Sequence, residues 1–130
     1  MDKNSNPAVQ LLNPAGLYDP APNGYSHVAR LAPNVRLVYT AGQGGENADS
    51  ELSADFAEQV RQAFANLQIA LAAGDAQIKD VAKITVLIVD HSMERLQILG
   101  AEVARVWGEL PAPACTLIPV PRLALDEMLF

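Results

Sequence analysis

The chain has 130 residues, half of them hydrophobic, which is enough for one domain with a core of its own. Its net charge is −6 and its nine Lys and Arg residues are scattered, so nucleic acid is not an expected partner, because neutralised phosphates supply most of that affinity. No run approaches the ~20 apolar residues of a membrane span, and the N-terminus lacks a signal-peptide hydrophobic region. A single cysteine excludes an internal disulfide. We therefore expect a cytoplasmic protein without membrane contact.

The first third of the sequence predicts three short strands and one ordered loop. The polar residues 1–8 are expected to form a flexible tail, and a strand is predicted over residues 9–13. The loop of residues 14–26 holds three prolines and two glycines, a composition typical of fixed turns. A second strand is predicted to end at Pro33 and to form a hairpin with a third strand over residues 34–42, in which the side chains alternate with a period of two.

Two amphipathic helices are predicted in the rest of the chain. The first spans about residues 52–73, ends before Gly74, and places its large apolar residues on one stripe. The second spans about residues 92–109, with Ser92 as its N-cap. The predicted buried positions are Phe56, Val60, Phe64, Leu67 and Leu71 in the first helix, and Leu96, Leu99, Val103 and Trp107 in the second.

Three further strands are predicted around the second helix. Residues 81–90 form a strand that is apolar on both faces, residues 115–120 form another with Pro119 at an edge or bulge, and residues 128–130 begin a last one. Each helix crosses between strands, so the pattern predicts an α+β fold with one mixed sheet and two helices on one face. The other sheet face needs a cover that one small domain does not supply, and oligomerisation is the economical solution.

Four stretches of the sequence resemble the Rid family, the reactive intermediate deaminases, also called YjgF-like proteins. They are "GYSHV", "LVYTAGQGG", "QVRQAFANLQIALAAGDAQIKDVAKITVLIVD" and "PACTLIPVPRLALDEMLF", in an ordered set that covers roughly residues 23–130. The resemblance implies a single Rid-like domain over residues 1–130 with a chorismate-mutase-like fold. It also implies a homotrimer in which the sheets face inward, the helices face outward, and three ligand clefts lie between subunits.

In the well-known branch of this family, the cleft hydrolyses enamines and imines derived from amino acids to keto acids and ammonia. By resemblance, the tyrosine that helps to place the substrate falls on Tyr25. The turn whose backbone amides contact the ligand falls on Ala41, Gly42 and Gln43, with Ala41 where a serine is common. The family's glutamate on the last strand would come just after Phe130. No cofactor and no metal are expected.

Cys115, in "PACT", occupies the position of the family's carboxylate-binding arginine. An alternative alignment puts Pro113 there, but with Cys115 the downstream Val120 and Leu123 also match, and neither alignment supplies an arginine. Truncating one partner of a desolvated guanidinium–carboxylate pair typically costs about 2–5 kcal/mol, so we expect a poor 2-aminoacrylate deaminase. Arg122 lies close in sequence and is either a partial substitute for the arginine or a surface side chain.

The lone thiol has two interpretations. Cys115 is either a small hydrophobe packed on a strand, or a cleft thiol that binds or attacks an electrophile, which requires a depressed pKa. The imidazole that could activate it is His27, and neither His27 nor His91 has the spacing of a metal ligand. From its position we expect Cys115 to line the cleft near Tyr25 and Gly42. Tyr25 itself either contacts the ligand or packs on a neighbouring subunit.

The sequence therefore predicts an inter-subunit site for a small carbonyl, imine or enamine metabolite, with hydrolytic deamination as the candidate reaction. A non-catalytic ligand-binding or regulatory trimer is the alternative. Endoribonuclease activity, attached to some relatives by name, is the least favoured function because the chain is acidic and lacks a catalytic histidine pair. The expected partners are further copies of the chain and a small-molecule ligand.

Overall fold

The computed structural model describes residues 5–130, so the predicted flexible tail of residues 1–8 lies partly outside the described residues. Within the described part, the Asn6 side chain donates a hydrogen bond to Asp80 Oδ1 at 2.9 Å. The strands are β1 (Val9–Leu12), β2 (Val28–Leu31), β3 (Lys83–Val89) and β4 (Ala114–Val120), and the α-helices are α1 (Phe56–Ala73) and α2 (Met93–Trp107). Short 3-10 turns at Ala21–Asn23 and Ile78–Asp80 precede β2 and β3.

Side-chain caps fix where both helices begin. Helix α1 begins at Phe56, later than predicted, because Asp55 is its N-cap and accepts a hydrogen bond from the Glu58 N–H at 3.1 Å. Helix α2 begins after Ser92 as predicted, and the Ser92 hydroxyl oxygen accepts from the Arg95 N–H at 3.1 Å. Each cap satisfies a donor that has no partner inside the helix. No helix within residues 5–130 is long and apolar enough to span a membrane.

Both helices pack against the same face of β3, which confirms the predicted α+β class. The Phe64 ring of α1 meets the Trp107 ring of α2 edge-on, with their centroids 5.9 Å apart. The buried core residues come from α1, β3 and α2, and they are Phe56, Val60, Phe64, Val86, Ile88, Leu99, Val103 and Trp107. The two apolar stripes are therefore buried as predicted, with Leu67 and Leu96 only half-buried at the margins.

The strands form two ladders that meet at a single bridge. Strand β1 pairs with β2 antiparallel, and β3 pairs with β4 parallel through the crossover of α2. Ser26 bridges to Ala114 at the start of β4. The Ser26 N–H donates to the Pro113 carbonyl at 3.1 Å, and its hydroxyl donates to the Ala112 carbonyl at 2.6 Å. This bridge fixes the N-terminal loop beside β4.

Two predicted strands are not formed within residues 5–130. Residues 34–42 pair with no strand, and the predicted hairpin is replaced by the pairing of β1 with β2. The alternating pattern of this segment indicated which side chains share a face, but it did not specify a hydrogen-bonding partner. Residues 128–130 contribute one main-chain bond to β3, from the Val89 N–H to the Leu129 carbonyl at 3.0 Å. Large apolar side chains of the unpaired segment are left exposed: Leu37, Val38 and Tyr39.

Gly74, which ends α1 as predicted, is required by close packing rather than by its backbone angles. Its φ is −96°, which any residue can adopt, while Asp75 takes the left-handed conformation with a φ of 58°. A Cβ at Gly74 would lie 2.7 Å from Val38 Cγ1. Gly100, inside α2, is different, because a Cβ there would meet no atom within 4 Å.

These two glycines should respond to alanine in opposite directions. We expect Gly100→Ala to raise the free energy of unfolding by about 0.5–1 kcal/mol, because alanine is the better helix former and nothing crowds it. We expect Gly74→Ala to lower it by about 1–3 kcal/mol, because Val38 must move. Urea denaturation measures both changes. A Gly74→Ala protein as stable as the unmodified one would show that residues 34–42 do not pack against α1.

Candidate functional site

The glycine-rich turn, residues 41–46, presents free backbone donors. Within residues 5–130, the N–H groups of residues 41–44 donate to no other group. The surroundings of Gly42 are open, because a Cβ there would meet no atom within 4 Å. The Gln43 side chain folds back and donates to the Ala41 carbonyl at 3.4 Å. Consecutive free N–H groups of this kind can hold a carboxylate or an oxyanion. The N–H groups of residues 35–40, in the unpaired segment before the turn, are free in the same way.

The loop before β2 brings three aromatic rings together. The ring of His27 lies edge-on to Tyr18 and Tyr25, with centroids 4.8 Å and 5.6 Å away, and the two tyrosine hydroxyls are hydrogen-bonded to each other. The His27 Nε2 donates to the Tyr18 carbonyl at 2.8 Å, and the His27 N–H donates to Asn13 Oδ1 at 2.8 Å. Tyr25 is therefore held in place. The sequence did not single out Tyr18, although it is an aromatic residue in the same loop.

Cys115 lies on β4 and packs toward the core. It pairs with Ile84, and the register places it on the face of the ladder that carries the buried Val86 and Ile88. Burial raises the pKa of the Cys115 thiol, while the nearby ammonium of Lys83 acts in the opposite direction. A raised pKa keeps the sulfur protonated at neutral pH, whereas a nucleophile must be a thiolate. This environment favours packing over nucleophilic attack.

The predicted site residues fall into two groups within one chain. Tyr25 and Cys115 each lie one residue from the bridge that joins the two ladders. Residues 41–43 instead line a cavity of about 1310 Å³ between residues 35–44, the apolar stripe of α1 and β3, to which Tyr25, Cys115 and Arg122 do not contribute. The structure therefore brings Tyr25 close to Cys115, but it does not place the turn with them in one cavity of a single chain.

Arg122 forms an ion pair at the surface. Its guanidinium lies 2.5 Å from Asp126 Oδ1, and the two side chains are 71% and 87% exposed. An exposed pair of this kind contributes about 0–1 kcal/mol, so Arg122 can exchange partners at little energetic cost. Its role as a substitute for the missing arginine stays a prediction. Within residues 5–130, no group of three or more His, Cys, Asp and Glu side chains is arranged to hold a metal ion.

Comparison with known proteins gives a family and a set of similar folds. Residues 18–130 match the family model Ribonuc_L-PSP, described as Endoribonuclease L-PSP. The Rid-family protein YyfB from Yersinia pestis is 31% identical over 94% of this chain and 92% of that chain, with a TM-score of 0.88. The YjgF gene product from E. coli is 27% identical over 69% of this chain and 71% of its own, with a TM-score of 0.62. Rv2704 from Mycobacterium tuberculosis is 25% identical over 93% of this chain and 92% of that chain, with a TM-score of 0.60. No curated protein matches the chain.

The reactivity of Cys115 should follow its raised pKa. We expect iodoacetamide to modify the folded protein at pH 7.5 at least about tenfold more slowly than the urea-unfolded chain, because burial limits both access and thiolate formation. The folded-state rate should keep rising with pH beyond the point where free cysteine levels off. Mass spectrometry measures the modified fraction, with Cys115→Ser as the blank. Modification faster than that of free cysteine would instead favour a catalytic thiol.

Proposed function

Because this chain belongs to the Rid (YjgF-like) family and has the chorismate-mutase-like α+β fold, we propose that it forms a homotrimer whose inter-subunit clefts bind a small carbonyl, imine or enamine metabolite. The observation that carries the proposal is the set of free backbone N–H groups at residues 41–44. These neutral donors suit an oxygen that is electron-rich or becomes negatively charged during a reaction.

The separation of the site residues within one chain supports a cleft shared between subunits. The turn and Tyr25 line different regions, and a second copy that brings its turn to the Tyr25 of the first unites them in one site. The open face of the β3–β4 ladder gives such copies a surface to pack on, because Leu87 and Ile118 are paired across it and both are exposed. Burying apolar surface of this kind favours association.

The candidate reaction is hydrolysis of an imine. Water adds to the carbon of the C=N bond while the nitrogen takes up a proton, and the resulting carbinolamine collapses to a C=O group and releases ammonia. The free N–H groups of the turn would bind an oxygen of the ligand in this scheme. The Tyr25 hydroxyl, already hydrogen-bonded to Tyr18, would orient the ligand or the water. Binding without turnover is the second candidate, because the backbone N–H groups of the turn can hold an oxygen but cannot transfer a proton.

The absence of a guanidinium at position 115, where Cys115 packs toward the core, determines which ligands we propose. A thiol supplies neither the charge nor the paired donors of a guanidinium, so a carboxylate gains less at this position. We therefore propose ligands that are less anionic or bulkier than amino-acid imines. Cleavage of RNA is not proposed, because a chain with a net charge of −6 is poorly suited to a phosphate backbone.

The trimer should be visible in solution. We expect a mass of three times the 13.9 kDa chain in light scattering at micromolar concentration. Ile118→Lys should dissociate it, because the charge enters the open face of the β3–β4 ladder, whereas Ile69→Lys should not, because that exposed residue lies on α1. A monomer mass for the unmodified chain would contradict the proposal.

Ligand class and turnover should separate the two candidate functions. A thermal-shift screen with keto acids, imine precursors, and purine and pyrimidine breakdown products should give hits among weakly anionic carbonyl compounds, and ammonia release is then measured on each hit. The substrate 2-aminoacrylate is generated in situ by a pyridoxal-dependent dehydratase. We expect this protein to accelerate its hydrolysis at least about 30-fold less than an arginine-bearing relative does, which corresponds to a loss of about 2 kcal/mol.

A tyrosine variant tests the part of the site outside the turn. Tyr25→Phe should weaken the hits, because it removes the hydroxyl that would orient the ligand or the water. Hits without ammonia release would favour the binding protein over the enzyme. Acceleration of 2-aminoacrylate hydrolysis equal to that of the relative would contradict the proposed ligand class.

A further inference from the structure

Amide side chains on one face of α1 hold the glycine-rich turn by its main chain. The Asn66 Nδ2 donates to the carbonyl oxygens of Gly44 at 2.9 Å and Glu46 at 2.7 Å, so both N–H groups of this amide bond to the turn. The Gln62 Nε2 donates to Asn66 Oδ1 at 2.9 Å, which fixes the direction of the Asn66 amide. The position of the turn on α1 is therefore set by directional bonds.

A third amide, Gln59, lies on the same helix about two turns before Asn66. Its side chain is fully buried, and its Nε2 donates to the Ser53 carbonyl at 2.7 Å and to the Glu127 carbonyl at 3.0 Å. Its Oε1 accepts from the Leu129 N–H at 2.8 Å. Gln59 thereby fixes the chain before α1 and the C-terminal segment, residues 127–129, to one point on the helix.

The turn packs directly against both α1 and the C-terminal segment. A Cβ at Gly45 would lie 2.7 Å from Gln59 Cα and 2.9 Å from the Gln59 carbonyl oxygen, which belong to a helix backbone that cannot move aside. A Cβ at Gly44 would lie 2.8 Å from Met128 Cε. Close approach therefore requires glycine at position 45, and the hydrogen bonds of Asn66 then fix the orientation of the peptide planes.

We propose that Asn66 is a positioning residue for the ligand, acting through the main chain of the turn, and that the close packing of Gly45 on the Gln59 backbone is the second contact that holds the turn, an inference that rests on the proposed function. The carbonyl and the N–H of one trans peptide point in opposite directions. Holding the Gly44 carbonyl toward α1 points the Gly45 N–H of the same peptide away from the helix, and the free N–H groups of residues 41–44 lie on the chain directly before this anchored peptide. Donors held in place before the ligand arrives bind an oxygen without reorganisation, and a 1 Å displacement can cost about 100-fold in rate.

The test moves the turn without touching the ligand. Asn66→Asp keeps the shape of the side chain, removes both donors, and sets a carboxylate against two carbonyl oxygens. Its matched control is Gln68→Glu on the same helix, which adds the same charge where the amide only donates to the Phe64 carbonyl at 3.3 Å. Gly45→Ala is the second variant, because its methyl group pushes the turn off Gln59, and Gly100→Ala is its control.

Two readouts are taken on the full chain. The first is the pair of ¹H–¹⁵N signals of Gly42 and Gly44, and the second is the dissociation constant for 2-oxobutanamide, a neutral carbonyl probe, from the same titration. We expect Asn66→Asp and Gly45→Ala to shift both signals and to weaken binding of the probe at least about tenfold, while both controls leave signals and affinity unchanged. Circular dichroism confirms that α1 remains folded in every variant compared.

The outcomes separate this inference from the proposed function. Unmoved Gly42 and Gly44 signals in the folded variants would overturn the inference. So would shifted signals with unchanged affinity, because the amides would then serve stability alone. An unmodified protein that binds neither 2-oxobutanamide nor any compound of the screen would instead contradict the proposed function, and the positioning role would fall with it.

Discussion

The buried amide of Gln59 is the contact on which the arrangement of the chain before α1, the glycine-rich turn and the C-terminal segment depends. Its three hydrogen bonds reach the main chain before α1 and in the C-terminal segment, and its backbone sets the closest approach of Gly45. A buried amide left without partners costs about 1–3 kcal/mol, so these segments are held where all three bonds can form together. The helix start, the turn and the end of the chain are thereby fixed relative to one residue.

The helices were predictable because their signals are local. The apolar stripe of α1, the N-cap Ser92 and the stop at Gly74 all act within a few residues of where they occur, and each is found in the structure. Strand pairing is not local. The side chains of residues 34–42 alternate in the sequence, but an alternating segment does not specify which sheet edge it joins. This segment joins none within residues 5–130.

The site was predictable only in part, for a related reason. Residues 41–43 and Tyr25 came from resemblance, and the free N–H groups of the turn agree with the chemistry expected there. The amides that hold the turn were missed, since a glutamine on a helix is usually a surface residue. The available signal was the position of Gln59 between Phe56 and Val60, inside the apolar stripe, where a polar side chain must find partners.

The thiol at Cys115 gives these amides their importance. At this position the side chain pairs with Ile84 and packs on the core. In the site that we propose, ligand recognition would depend on neutral main-chain donors, whose hydrogen bonds are roughly half as strong as charge-assisted ones. A guanidinium attracts a carboxylate over several ångströms and tolerates some displacement, whereas a neutral N–H contributes only when its direction and distance are right. The proposed cleft would therefore depend more on a fixed turn, and the hydrogen bonds of Asn66 and the packing of Gly45 on the Gln59 backbone are the contacts that would fix it.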